Sequence, residues 1–321
     1  MWILGASTDP WPGRKARPYS DLVIQFVRSV VGGFLMGTAD LVPGVSGGTI
    51  ALVLGIYERL VNSVREGSSA LGSVLKGDVN GFKEHLSRVD WLFLVPLLAG
   101  ILLAVLTLAS FLDHQLEERP TILAGAFFGL VVGSVLIAWR LLRQARSLHL
   151  ILALVVAAAL FAFLGLGEDV VVRDPSLVVY FGAGALAICA MILPGISGSL
   201  ILLLIGMYAT VLDAVDERNF PVLGVFVVGA IVGLGLFSQI LHWALRRHHD
   251  LILAGLIGLM AGSLRVLWPW PQGVDSSALG GPGNDWGGVL VAALVGFVVV
   301  FAISRLGATE DDRVRVPPPA G

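Results

Sequence analysis

Two short segments of this 321-residue chain carry the residue types from which an anion site can be built. Pro43, Gly44, Val45, Ser46, Gly47, Gly48 and Thr49 form one; Pro194, Gly195, Ile196, Ser197, Gly198 and Ser199 form the other, and each opens an apolar run. A Pro-Gly-x-Ser-Gly tip at the start of a helix leaves the first backbone N–H groups without intrahelical acceptors. It also sets the positive end of the helix dipole behind them and adds a serine hydroxyl. Two such tips facing each other make a nest for a phosphate or carboxylate, in a low dielectric that strengthens every N–H contact. The plainer reading is that glycine and serine simply let two helices pack closely.

Five further residues have chemistry to offer nearby. Asp40, three residues before Pro43, aligns with Met191 in the second segment, so its carboxylate has no acidic counterpart there. It is either a group whose protonation is coupled to anion entry or a local cap on the following turn. Arg28, on the preceding helix, either pairs with the same anion or snorkels to the interface. Arg265, near the end of its helix, is suited to an anionic headgroup, and the matched Tyr57 and Tyr208 either bond a phosphate or anchor the interface.

Other chemistries find no residues. GVSGGT lacks the lysine of a phosphate-binding P-loop, none of the six histidines falls in either segment, and no metal-ligand spacing occurs. His248 and His249 adjoin Arg246 and Arg247 and read as a solvated basic cap. One cysteine, Cys189, excludes an intrachain disulfide, and a net charge of -2 argues against a nucleic-acid partner. No acid, base or nucleophile cluster has the spacing of an active site, so neither enzyme, metal nor cofactor is expected.

The elements that hold these residues are membrane helices. The chain is 56% hydrophobic and 14% charged, with a mean hydropathy of +0.87. That composition predicts an all-α polytopic membrane protein. Apolar segments run over 22–42, 44–60, 91–112, 121–142, 150–166, 176–193, 195–212, 221–245, 251–268 and 287–306. Most tryptophans fall at segment ends, as interfacial indoles do. The spacings Gly125/Gly129/Gly133, Gly229/Gly233 and Gly258/Gly262 predict close helix contacts. The first residues lack the order of a signal peptide and read as a cytosolic tail.

The chain also repeats itself. PGVSGGTIALVLGIYERLV from Pro43 aligns without a gap to PGISGSLILLLIGMYATVL from Pro194, at an offset of 151 with eight of nineteen positions identical. ILAGAFFGLVVGSVLIAW from Ile122 matches ILAGLIGLMAGSLRVLW from Ile252, and a long polar connector over 62–90 in the first copy accounts for the change of offset. Two five-segment units follow: 22–166, with a hairpin over 22–60 and the polar cytosolic insert 62–90, and 176–306, with a hairpin over 176–212. Residues 1–21 and 307–321 are tails, the second expected to be disordered. A unit with an odd number of crossings puts its copy upside down, the inverted-repeat plan of many secondary transporters. Sixteen of the 21 lysines and arginines then fall on one side, leaving Arg119, Arg173 and Arg218 opposite and Arg28 and Arg265 within segments. This asymmetry predicts both termini in the cytosol. Gly44 to Tyr57 is only 14 residues, about 21 Å of helix against a hydrocarbon core of about 30 Å. The hairpins are therefore expected to re-enter, their tips meeting near the midplane, with a pair of kinked spanning helices as the alternative.

ADLVPGVSGGTIALVLGIYE and MILPGISGSLILLLIGMY resemble the paired signatures of the bacterial undecaprenyl phosphate translocases of the PopT type, formerly domain of unknown function 368. The similarity covers roughly residues 22–306. It implies a flippase of the inner membrane that returns undecaprenyl phosphate from the outer to the cytosolic leaflet for cell-wall and surface-polymer synthesis. Undecaprenyl phosphate and membrane lipids are the partners it implies, with no obligate protein partner. Residue chemistry alone reaches an inverted-repeat transporter with an anion site. A carrier of a small soluble anion and a membrane enzyme acting on polyprenyl phosphate remain the alternatives.

Overall fold

The computed structural model describes residues 19–42, 45–165, 172, 175–271 and 279–314. Among these residues the chain forms thirteen α-helices and no strand, apart from one bridge between Pro271 and Leu279. The first half comprises α1 (Tyr19–Asp40), α2 (Gly47–Val53), α3 (Tyr57–Leu75), α4 (Val79–Arg88), α5 (Trp91–Glu118), α6 (Pro120–Arg140) and α7 (Ser147–Gly165). The second comprises α8 (Leu177–Ile192), α9 (Gly198–Leu204), α10 (Tyr208–Asp216), α11 (Phe220–Arg247), α12 (His249–Ser263) and α13 (Trp286–Val314).

Six helices, α1, α5, α6, α7, α11 and α13, are long and apolar enough to cross a membrane. The molecule is a multi-pass membrane protein. Its exposed faces agree, because Leu102 and Leu106 of α5, Leu154 of α7, Leu236 of α11 and Leu294 of α13 all point outward. In water such a belt would aggregate, whereas in lipid it is the solvated surface.

The expected runs 44–60 and 195–212 are each broken into two helices. α9 and α10 meet at a bend of 111°. Both breaks are made the same way. Gly55 (φ +71°) and Gly206 (φ +70°) adopt the left-handed conformation that L side chains resist. The following N–H, of Ile56 or Met207, then bonds back to the carbonyl of Ala51 (3.0 Å) or Leu202 (2.8 Å). The insert 62–90 is helical: α3 continues through it to Leu75, and Asp78 caps α4 by accepting from the Gly81 N–H at 2.9 Å. α13 runs on to Val314, past the point where the tail was expected to begin, and 315–321 lie outside the described residues.

Glycine sets how the helices pair. α1 packs on α5 and α8 on α11, while α6 packs on α13 and α12 on α7. A methyl group on Gly33 would strike the carbonyl oxygen of Leu97, one on Gly100 that of Val30, and one on Gly229 that of Phe181. Gly125, Gly129 and Gly133 face Val289, Ala293 and Val300 of α13, and Gly258 and Gly262 face Ala153 and Ala157 of α7. The expected glycine spacings therefore lie on close backbone contacts, two of the three between the halves. α13 is further tied to α6 at its start. The Thr121 hydroxyl donates to Asp285 at 2.5 Å and the Trp270 indole N–H to the same carboxylate at 3.2 Å. Those bonds hold the Asp285 carboxyl below the usual carboxylate range, Thr121 contributing most.

At the centre lies α2, every residue of which is buried. It packs among Met36 of α1, Phe93 and Leu97 of α5, Phe127 and Val131 of α6, and Leu253, Ile257 and Met260 of α12. α9 is more open, with only Gly198 and Leu202 buried.

Candidate functional site

The two tips touch. Ser46 is the N-cap of α2: its backbone is extended and its hydroxyl oxygen accepts from the Gly48 N–H at 3.1 Å, the bond for which serine is favoured at this position. The same hydroxyl lies 3.3 Å from the carbonyl oxygen of Leu193 and 3.4 Å from that of Met191, to which it donates. Thr49, one turn into α2, accepts from the Gly195 N–H at 2.9 Å. Tyr57, at the start of α3, donates to the carbonyl of Ile192 at 3.1 Å. Three side chains of the first hairpin are thus stitched to residues 191–195, where α8 ends. Ser46, Thr49 and Tyr57 are 1%, 0% and 2% exposed, so these bonds form in an apolar interior and are stronger than their counterparts in water.

From the other side, Gly195 (φ +86°) lies against the backbone of Met260 in α12, too close for a side chain. Pro194 and Ile196 are buried beside it. The tip of the second hairpin is thereby held between α2 and α12.

The donors of the two tips are used differently. Asp40, in the last turn of α1, accepts from the Gly47 N–H at 2.6 Å. This bond is the contact that the local-cap reading expects. With Gly48 bonded to Ser46, Gly195 to Thr49, and the N–H groups of Val45, Thr49 and Ile196 to the carbonyls of Val42, Ser46 and Leu193, six tip N–H groups already have protein acceptors. In the second tip, Ser197 stands at the N-cap of α9 without a capping bond, and its hydroxyl pairs with that of Ser199 at 2.7 Å. The N–H groups of Gly198 and Ser199 meet no acceptor among the described residues. Val45 is buried, while Pro43 and Gly44 lie outside the described residues.

The remaining candidates are elsewhere. Arg28 lines a groove with Leu54 and Ile56, at the far end of α2 from the tip. Arg265, beyond the end of α12, packs over the Phe161 ring at 4.7 Å and against Gly165 of α7. Tyr208 is 43% exposed although its repeat partner Tyr57 is buried. His249, expected in a solvated cap, instead bridges Glu58 of α3 (3.1 Å) and Asp250 (2.9 Å), and Asp250 also accepts from the N–H groups of Arg143 and Gln144. Main-chain acceptors at 191–193 escaped the sequence reading because a carbonyl carries no residue signature.

The tips and the helices around them are also where known proteins align. The profile of the undecaprenyl phosphate translocase-like family matches residues 36–279, a span that holds both tips. The chain belongs to this family. A polyprenyl-phosphate transporter of Vibrio cholerae serotype O1 is 42% identical over 250 residues, 78% of this chain and 80% of the relative. A second, from Staphylococcus aureus, is 31% identical over 299 residues, 88% of this chain and 98% of the relative. No solved structure gives a significant match.

Proposed function

We propose that the protein transports polyprenyl phosphate, and undecaprenyl phosphate in particular, from the outer to the cytosolic leaflet of the bacterial inner membrane. The lipid carrier is thereby returned for cell-wall and surface-polymer synthesis. The family and the similarity to two polyprenyl-phosphate transporters support the substrate class. The observation that carries the mechanism is the pair of serine-glycine tips in contact inside an apolar core.

In this reading the halves α1–α7 and α8–α13 are inverted repeats with both termini in the cytosol, and the hairpins re-enter so that their tips meet near the midplane. The recurrent pairing of α1 with α5 and α8 with α11, and the twin glycine turns at Gly55 and Gly206, support that arrangement. The phosphate binds between the tips, at residues 43–49 and 194–199. Gly198 and Ser199 offer N–H groups, and the Ser197 and Ser199 hydroxyls turn from each other to the anion. Asp40 already holds one carboxylate oxygen on Gly47, so it occupies a place that a phosphate oxygen takes over. Entry of the headgroup then frees Asp40, which links anion binding to the position of α1. Rocking of one half against the other around the tips exposes the headgroup to each leaflet in turn, while the tail stays in lipid. No covalent chemistry is involved.

Two consequences are testable. Asp40→Asn removes the competing charge and should tighten headgroup binding, read as a lower Kd for a short-chain polyprenyl phosphate; weaker binding would show that Asp40 supports the phosphate. Surface undecaprenyl phosphate should accumulate in cells depleted of this protein and of any redundant translocase. Wild type should clear it, and expressed Ser46→Leu and Ser197→Leu variants should not. Unchanged surface lipid on depletion would overturn the lipid substrate and direct attention to soluble anions on the same scaffold.

A further inference from the structure

We propose a second anion site, a phosphate-binding pocket where the loop between α6 and α7 meets the turn between α11 and α12. A pocket of about 250 Å³ lies there and shares no residue with the tips. Arg143 of the loop and Arg246 and Arg247 of the last turn of α11 line it. Among the described residues none of these three has an ion-pair partner. The two carboxylates nearby are committed elsewhere. Asp250 accepts from the N–H groups of Arg143 and Gln144 at 3.2 and 3.0 Å and pairs with His249 Nδ1 at 2.9 Å. Glu58 meets His249 Nε2 at 3.1 Å. The guanidinium charges are left to the pocket.

Neutral donors converge on the same place. α12 begins there without a side-chain cap, and the N–H groups of His249, Asp250 and Leu251 meet no acceptor among the described residues. The dipole of this 15-residue helix favours an anion at that end. His149 points the same way independently. It lines the pocket although it is only 7% exposed. Its Nδ1 accepts from the Arg146 N–H at 3.2 Å, which leaves the ring proton on Nε2. That Nε2–H meets no acceptor among the described residues and is not sealed inside the packing, so the open space it faces is the pocket. A donor held in so little water is costly unless it is bonded, and an anion supplies the acceptor.

The donors come from several directions, which suits a tetrahedral phosphate better than a flat carboxylate with a single charge. The volume takes such a group together with a few waters of about 30 Å³ each. A lipid headgroup and a free phosphate share this chemistry. The margin favours the lipid, because Leu148, Leu150 and Ile151 at the start of α7 are exposed beside the pocket, where acyl chains cover them. The loop belongs to the first half and the turn to the second, so a bound phosphate ties the halves together at this end of the bundle.

The test uses the full chain in a neutral detergent. One arm compares inorganic phosphate with chloride at equal ionic strength, and the other compares phosphatidylglycerol with phosphatidylcholine of the same chains. The concentration dependence of the melting temperature gives a Kd. Hydrogen–deuterium exchange locates the ligand, on peptides spanning 141–152 and 244–256. Phosphate or phosphatidylglycerol should slow exchange in both peptides. Arg246 and Arg247 are exposed, so the double variant Arg246→Gln, Arg247→Gln should fold, and its Kd should rise at least about tenfold. The control Lys76→Gln, Lys83→Gln removes two exposed charges elsewhere and should leave Kd unchanged. Protection by phosphatidylglycerol alone assigns the pocket to a lipid headgroup, protection by inorganic phosphate alone to a free anion, and protection by both to the phosphate group from either source. Equal effects of phosphatidylcholine and chloride, an equal loss in the lysine variant, or unchanged exchange in both peptides would overturn the site. None of these outcomes touches the transport reading, which rests on the tips.

Discussion

Replacing Thr49 by valine keeps the outline of a side chain that is 0% exposed and removes the acceptor 2.9 Å from the Gly195 N–H. That N–H cannot turn to water, since Gly195 is buried against Met260. A buried donor left without a partner costs about 1–3 kcal/mol. The Ser46 and Tyr57 bonds to residues 191–193 survive, so the tip contact loosens without dissolving. If the whole cost falls on the closed contact, local opening rises about 5- to 150-fold. Hydrogen–deuterium exchange in nanodiscs reads this directly, on peptides spanning 191–205 with α5 peptides as the internal reference. Thr49→Ser keeps the hydroxyl and should bring exchange back towards wild type. Unchanged exchange in Thr49→Val, or the same acceleration in α5, would refute the claim that this bond ties the tips together.

Gly129→Leu drives a side chain into the Ala293 carbonyl and should separate α6 from α13, at a cost of at least about 1–3 kcal/mol in thermal stability; a neutral result would refute the close contact. Gly55→Ala and Gly206→Ala have open space around Gly55 and left-handed backbone at both sites, so each should lose about 1–2 kcal/mol through strain, visible as similar melting shifts. Asp285 is held below its ordinary value of 3.8 by Thr121 and Trp270, so its contribution is complete above that value and fades as pH falls through the lowered one. Tryptophan fluorescence should therefore stay flat from neutral pH to about 4 and change only below, and Asp285→Asn should abolish the acid step.

The helix pairing was legible because small residues leave a pattern that survives in one dimension: Gly125/Gly129/Gly133 are spaced by one helical turn and do face one partner. The breaks within the hairpins were legible in part, through their prolines and their length, though the glycines that end α2 and α9 stand at the matched positions 55 and 206. The course of α3 was not legible, because a helix whose polar face is as prominent as its apolar one reads as a connector in a hydropathy scan. At the site, residue types were visible and their partners were not. Tyr57 and Tyr208 are equivalent in sequence, yet one is 2% and the other 43% exposed, because Tyr57 belongs to the core cluster shared with α5, α6 and α12. Arg28 sits beside the hairpin's far turn and not its tip, a distinction set by where the chain folds back.

The swapped pairing of α6 with α13 and α7 with α12 has a consequence for biosynthesis. As the chain emerges from the ribosome, α1 and α5 can join within the first half. α6 and α7 enter the membrane with their partners still unmade. Until α12 and α13 arrive, the glycine stripe on α6 and the Ala153–Ala157 face of α7 are left to lipid. Neither half can complete its fold before the whole chain is in the membrane, so a ribosome that stops after α7 releases a product that is inserted and unfinished. The two halves are one cooperative unit, and gene fragments encoding them would have to be expressed together to recover the native pairs.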